Sequence, residues 1–103
     1  MTLEEALVKL EEYRLQIDEV DRGIVALLND RTKVVEEIGR VKREVRLPIY
    51  EPKREEMVFQ NITGCNQGPL TKEAMHRVFE RIIDEMRMIQ RRRMKEERDG
   101  GRP

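Results

Sequence analysis

Four charged residues stand where a helix should present apolar surface. Read in sevens, one series runs Leu3, Leu10, Ile17, Ile24, Arg31 and Ile38, and a second runs Leu7, Arg14, Asp21, Leu28, Val35 and Lys42. Together they form one stripe along a long amphipathic helix. Most of the stripe is aliphatic, as a helix–helix seam requires. Arg14, Asp21, Arg31 and Lys42 are not, and charge on a seam is costly unless something pairs with it. Arg14 and Arg31 are seventeen residues apart, roughly 26 Å along a helix, so they cannot grip one small molecule from the same chain. An antiparallel copy, related by a two-fold near residues 21–24, brings Arg14 of one chain toward Arg31 of the other. Arg31 and Lys42 share a face about 16 Å apart, and Arg54 on a following helix can join them. A pocket with up to four cations and few anions suits a small dicarboxylate, because guanidinium groups bind carboxylates bidentately.

These side chains need long helices to hold them, and the chain supplies three. The first is expected from Thr2, a capping residue, to about Arg43, fading through Glu44–Leu47. Pro48 ends it, since proline disfavours helix in the residue before it. Forty residues give a rod of about 60 Å, too long for a monomer of 103 residues. An oligomer in which a second copy covers the stripe follows. Glu51-Pro52 reads as an N-cap followed by proline at the first helical position. The second helix carries Arg54, Met57, Val58 and Ile62 on one face and is expected to stop before Gly64. Residues 64–69 are a turn-rich loop. Thr71 caps the third helix, whose apolar face is Met75, Val78, Phe79, Ile82, Ile83, Met86 and Ile89, with Gln90 the one polar residue on it. The fold class is therefore all-α. The expected boundaries are a helical domain over 1–98 and a disordered tail over 99–103.

Composition narrows the function classes. Charged residues are 41% of the chain and aromatics 4%, which favours long solvated helices over a thick core. Formal net charge is zero, so no global field draws nucleic acid or a membrane surface. Cys65 is the single cysteine, and no Cys/His cluster suggests a metal. Neither a transmembrane run nor a signal-peptide core is visible, so a cytoplasmic location is the default expectation.

The polar residues of the seam also carry a resemblance. Arg14-Leu-Gln-Ile-Asp-Glu-Val-Asp21, Leu27-Leu-Asn-Asp-Arg31, Ile38-Gly-Arg-Val-Lys42, Glu51-Pro-Lys-Arg54-Glu55 and Ile82-Ile-Asp-Glu-Met-Arg-Met-Ile-Gln90 follow one another in order. In this the chain resembles the all-helical class of chorismate mutases, from about residue 5 to 92. Each motif alone is weak; five in order are specific. The resemblance implies an intertwined homodimer of three-helix chains with two active sites, no cofactor and no metal. Arg14 would come from the neighbouring chain and bind a substrate carboxylate. Arg31 would bind a carboxylate from the home chain, and Arg54 would help. Lys42 would contact the ether oxygen and a carboxylate, Gln90 would donate to the ether oxygen, and Glu55 would accept from the ring hydroxyl. Two positions depart from the commonest pattern. Glu51 stands where many relatives have Asp, and is expected to help bind the hydroxyl. Met86 stands where many have a small polar residue, and is left out of the chemistry.

The implied reaction is the rearrangement of chorismate to prephenate, a step in aromatic amino-acid biosynthesis. It is pericyclic and needs no nucleophile, metal or proton transfer. Each residue has a plainer reading too. Arg14 and Arg31 suit interface ion pairs, with Asp21 a ready partner. Lys42 near a helix end suits the dipole, Glu55 suits a helix start, and Gln90 suits a buried amide bonded to a carbonyl. His76 and Cys65 read as exposed and inert, and the Arg91–Arg93 run as a solvated helix end. Two other functions fit the scaffold: an isochorismate pyruvate lyase, and a non-catalytic helical dimerisation or effector-binding module.

Overall fold

A capping box opens the chain. Thr2 Oγ1 accepts from the Glu5 amide at 3.1 Å, and the Glu5 carboxylate reaches back to the Thr2 amide at 3.4 Å. From there α1 runs Leu3–Val45, followed by α2, Pro52–Cys65, and α3, Lys72–Gly100. The computed structural model describes residues 1–100, and all of the regular structure in them is helical.

The chain divides into two units, Met1–Lys33 and a second that begins at Val34. In the first, no residue is buried. Leu3, Leu7, Leu10, Ile17 and Ile24 of the heptad stripe all stand exposed, and even the most covered of them, Leu10, is 45% exposed. In the second unit the core is Val35 of α1 with Ile83 and Met86 of α3. There α2 packs on α3, and Phe59 stacks on His76 with ring centroids 4.1 Å apart. Gly39 lies against Gln90 and Arg43 pairs with Glu97, so the last turns of α1 and the second half of α3 advance in the same sense.

The ends of the helices follow from local chemistry. α1 closes with the 6→1 bond of a Schellman motif, Leu47 N–H to Lys42 O at 2.8 Å. That places Arg46 in the left-handed region, at φ 58°. Pro52 begins α2 as expected, and the helix continues past the expected stop, through Gly64 to Cys65. Asn66 terminates it, its amide bonding Ile62 O at 3.1 Å while its side chain braces Leu70 O and the Gly68 amide. Thr71 caps α3 through the Ala74 amide at 3.1 Å. The expected tail begins inside this helix. Asp99 and Gly100 are helical, because nothing in Met94–Arg98 breaks the run, and residues 101–103 lie outside the described residues.

Candidate active site

Lys42 is a buried cation held from two sides. Val35, Gly39 and Lys42 share one face of α1 and are all buried. The side chain of Lys42 is 11% exposed, and its ammonium is held by two groups from the segment after the helix. Nζ donates to Ile49 O at 3.0 Å and meets Glu51 Oε1 at 2.9 Å. An ammonium has three N–H donors, so one remains. Glu51 occupies the N-cap position of α2 but makes no side-chain cap bond. The expected N-cap position ahead of Pro52 is therefore Glu51's, but its carboxylate is turned to Lys42, where a buried charge needs it more.

Gln90 is the second buried polar residue, 8% exposed. It reaches α1 because Gly39 has no side chain. A Cβ there would stand 3.4 Å from Gln90 Cγ and 3.2 Å from Arg43 Nη1. Gln90 Oε1 is buried with no hydrogen-bond partner among the described residues. Two ion pairs flank this contact: Glu36 with Arg93 at 2.9 Å, and Arg43 with Glu97. Arg43 Nε is buried and makes no well-aligned hydrogen bond among the described residues, so charge holds the second pair.

Glu55 sits in the first turn of α2 and is half-buried. It pairs with Arg87 of α3 at 3.4 Å, long for a hydrogen bond. Arg87 also meets Asp84 Oδ1 at 2.5 Å and lies over the Tyr50 ring, 5.3 Å from its centroid. Arg87 and Tyr50 are not visible as site residues in the sequence. Arg87 lies three residues after Asp84, the spacing of a solvated helix pair, and only the fold adds Glu55 and Tyr50.

Of the remaining candidates, Arg54 is exposed on α2. Arg14 is exposed and Arg31 half-buried, both on the unbroken part of α1 within Met1–Lys33. Their separation along that helix is roughly 26 Å. The structure thus brings Lys42 with Glu51, and Gln90 with Gly39, into contact, and it keeps Arg14 and Arg31 of one chain apart. His76, read as inert, is exposed as expected, but it stacks on Phe59 and meets Glu80 at 2.9 Å.

An all-helical chain with a buried lysine and a buried glutamine on facing helices has the features of the helical chorismate mutases. The family description "Chorismate mutase type II" matches residues 13–91, and the chain belongs to that family. Chorismate mutase (form II) of Thermus thermophilus is 36% identical, with a TM-score of 0.79 over 82% of this chain and 96% of that one. Chorismate mutase of Helicobacter pylori, solved in complex with prephenate, is 28% identical, with a TM-score of 0.80 over 86% of this chain and 97% of that one. The bifunctional chorismate mutase/prephenate dehydratase of Aquifex aeolicus is 37% identical over 79 residues, 73% of this chain. This chain spans 22% of the length of that relative. No helix among the described residues is long and apolar enough to cross a membrane.

Proposed function

We propose that this chain is a chorismate mutase that works as a homodimer, rearranging chorismate to prephenate in two equivalent sites. Family membership supports the reaction. The observation that carries the site is the pair of buried polar groups against the Gly39 turn, Lys42 with one N–H free and Gln90 with an unmet amide oxygen. Burial of unsatisfied polar groups costs stability, and a ligand that completes them removes that cost.

In the rearrangement one C–O bond of the ether breaks as a C–C bond forms, within one molecule and without a proton moving. The protein has two tasks. Arg31 and Arg54, with Arg14 of a second copy, hold the two carboxylates so that the reacting carbons meet. Lys42 and Gln90 stabilise the negative charge that grows on the ether oxygen. A half-turn of the terminal torsion of Gln90 exchanges Oε1 for Nε2 at little steric cost and offers the donor. Glu51, 2.9 Å from Nζ, holds the Lys42 ammonium in place. Glu55, fixed by Arg87, accepts from the ring hydroxyl.

The dimer is supported by the exposed stripe of Met1–Lys33 and by the distance between Arg14 and Arg31. Cytoplasmic location is part of the same proposal, since the substrate is a biosynthetic intermediate. The test is direct: purified protein with chorismate should give prephenate at a rate well above the uncatalysed one, and should release no pyruvate from isochorismate. No acceleration with chorismate would overturn the proposal.

A further inference from the structure

A second cationic cleft lies beside Lys42, on the surface where α1 and α3 end. It has a volume of about 840 Å³, within the usual range for small-molecule sites. Arg43, Arg46 and Arg98 line it together with Lys42, and Glu97 is its one acid. Leu47, Pro48 and Met94 supply apolar wall. Lys42 is neutralised by Glu51, and Arg43 by Glu97. Arg46 and Arg98 form no ion pair among the described residues. The cleft therefore keeps two uncompensated guanidinium groups in a chain whose net charge is zero.

Cations at helix C-termini ordinarily serve the dipole or cap the last carbonyls. Here the backbone does the capping. Leu47 N–H bonds Lys42 O at 2.8 Å, and Arg46 N–H points to Arg43 O at 3.4 Å. No hydrogen bond from the Arg46 or Arg98 side chain to a helix carbonyl occurs among the described residues. Arg46 holds the left-handed C′ position, φ 58°, where glycine is the low-cost residue. A long cation has been placed there at a conformational cost, and its side chain lines the cleft.

We propose that this cleft is a second binding site, for a small carboxylate that carries an apolar ring or chain, and that its occupant acts on the reaction through Lys42. The carboxylate lies between Arg46 and Arg98, and the apolar part lies on Leu47, Pro48 and Met94. The volume is too large for a bare inorganic anion to fill, and the apolar wall leaves an inorganic anion nothing to gain. The link to catalysis rests on the function proposed above. An anion beside Lys42 offers its ammonium a competing partner and draws it from the ether oxygen.

The probe is 3-phenylpropanoate, which has one carboxylate and one ring. The uncharged 3-phenylpropanamide is its control. Titrated into the full chain and followed by NMR, the acid should shift the Leu47 and Met94 signals saturably, and the amide should not. In the Arg46→Gly/Arg98→Ala double variant the dissociation constant read at those signals should rise about tenfold or more, as loss of charged hydrogen bonds requires. Arg46→Gly relieves the left-handed strain, so the variant should melt no lower than the wild type, and its basal turnover should stay unchanged. The acid should lower kcat of the wild type and spare that of the variant. Equal shifts with the amide, or equal affinity in the variant, would overturn the cleft. Shifts confined to Glu55 and Gln90 would overturn it while leaving the proposed reaction intact. An equal fall in kcat in both proteins would overturn the coupling to Lys42. If chorismate is not turned over at all, the proposed reaction fails and the binding measurement still decides the cleft.

Discussion

The two units of this chain treat water in opposite ways. Met1–Lys33 is a helix with one face rich in Leu and Ile and no buried residue. From Val34 onward the chain buries little apolar bulk, yet it buries a lysine and a glutamine. The first unit has hydrophobic surface and no cover; the second has cover and gives part of it to polar groups. Each is incomplete by ordinary folding criteria. In the function proposed here, a second copy of the chain completes the first and a ligand completes the second. What resembles poor folding in one chain is then the division of labour within a dimer.

The largest expected effect tests both halves at once. Arg14→Ala and Arg31→Ala, made separately, should each give nearly inactive homodimers. Unfolded together in equal amounts and refolded, they should recover about one quarter of wild-type activity. Half the dimers are then mixed, and each mixed dimer has one site with both arginines. No recovery on mixing would mean that both arginines serve from one chain, and the contrast between the units would lose its meaning.

Next in size is the second unit alone. Lys42→Ala should lower kcat/KM by roughly 10²–10³, the usual cost of losing one donor to a developing oxyanion. Circular dichroism should show the helices intact. A variant with near-normal activity would return Lys42 to a structural role.

A subtler change alters the pH dependence of the activity. Gln90→Glu donates a hydrogen bond only when protonated, so its activity should rise as pH falls, while the wild type lacks that rise. Neighbouring cations depress the new carboxyl, and the rise should begin only in the acid range. A flat profile at full activity would show that residue 90 does not face the reacting oxygen.

The smallest effect compares two glycines, one in each unit. Alanine in place of a helical glycine stabilises by about 1 kcal/mol where nothing obstructs it. A Cβ on Gly39 would press on Arg43 Nη1 and Gln90 Cγ, whereas one on Gly23 would meet nothing within 4 Å. Gly39→Ala should therefore gain less in thermal unfolding than an open site allows, and it should lower activity by displacing Gln90. If Gly23→Ala also gains little in the dimer, a partner helix passes close to Gly23, and the covered stripe is located more sharply.

Much of this architecture is legible without coordinates. The heptad stripe, Pro48, Pro52 and Thr71 set the three helices, because periodicity and caps act within a few residues. Lys42 and Gln90 stand out as polar intrusions on apolar faces, and both are buried. What escapes the sequence depends on distant partners. Glu51 has the position of a helix cap, but Lys42, nine residues earlier, claims its carboxylate. Arg87 has the spacing of a solvated partner of Asp84, but Glu55 and Tyr50 close over it. Arg46 gives no signal, since a left-handed C′ position is announced by glycine and none is there. A charged, glycine-tipped terminus resembles a tail, and so α3 runs further than its sequence suggests.

The Arg87 cluster has one more consequence, which concerns entropy. A glutamate loses about 1.5–2 kcal/mol of rotamer freedom when it is fixed. Arg87 is itself fixed by Asp84 and by the Tyr50 ring, and it settles Glu55 during folding. In the function proposed above, a hydroxyl that reaches Glu55 finds that disorder already given up, and the hydrogen bond it forms should count almost in full toward affinity.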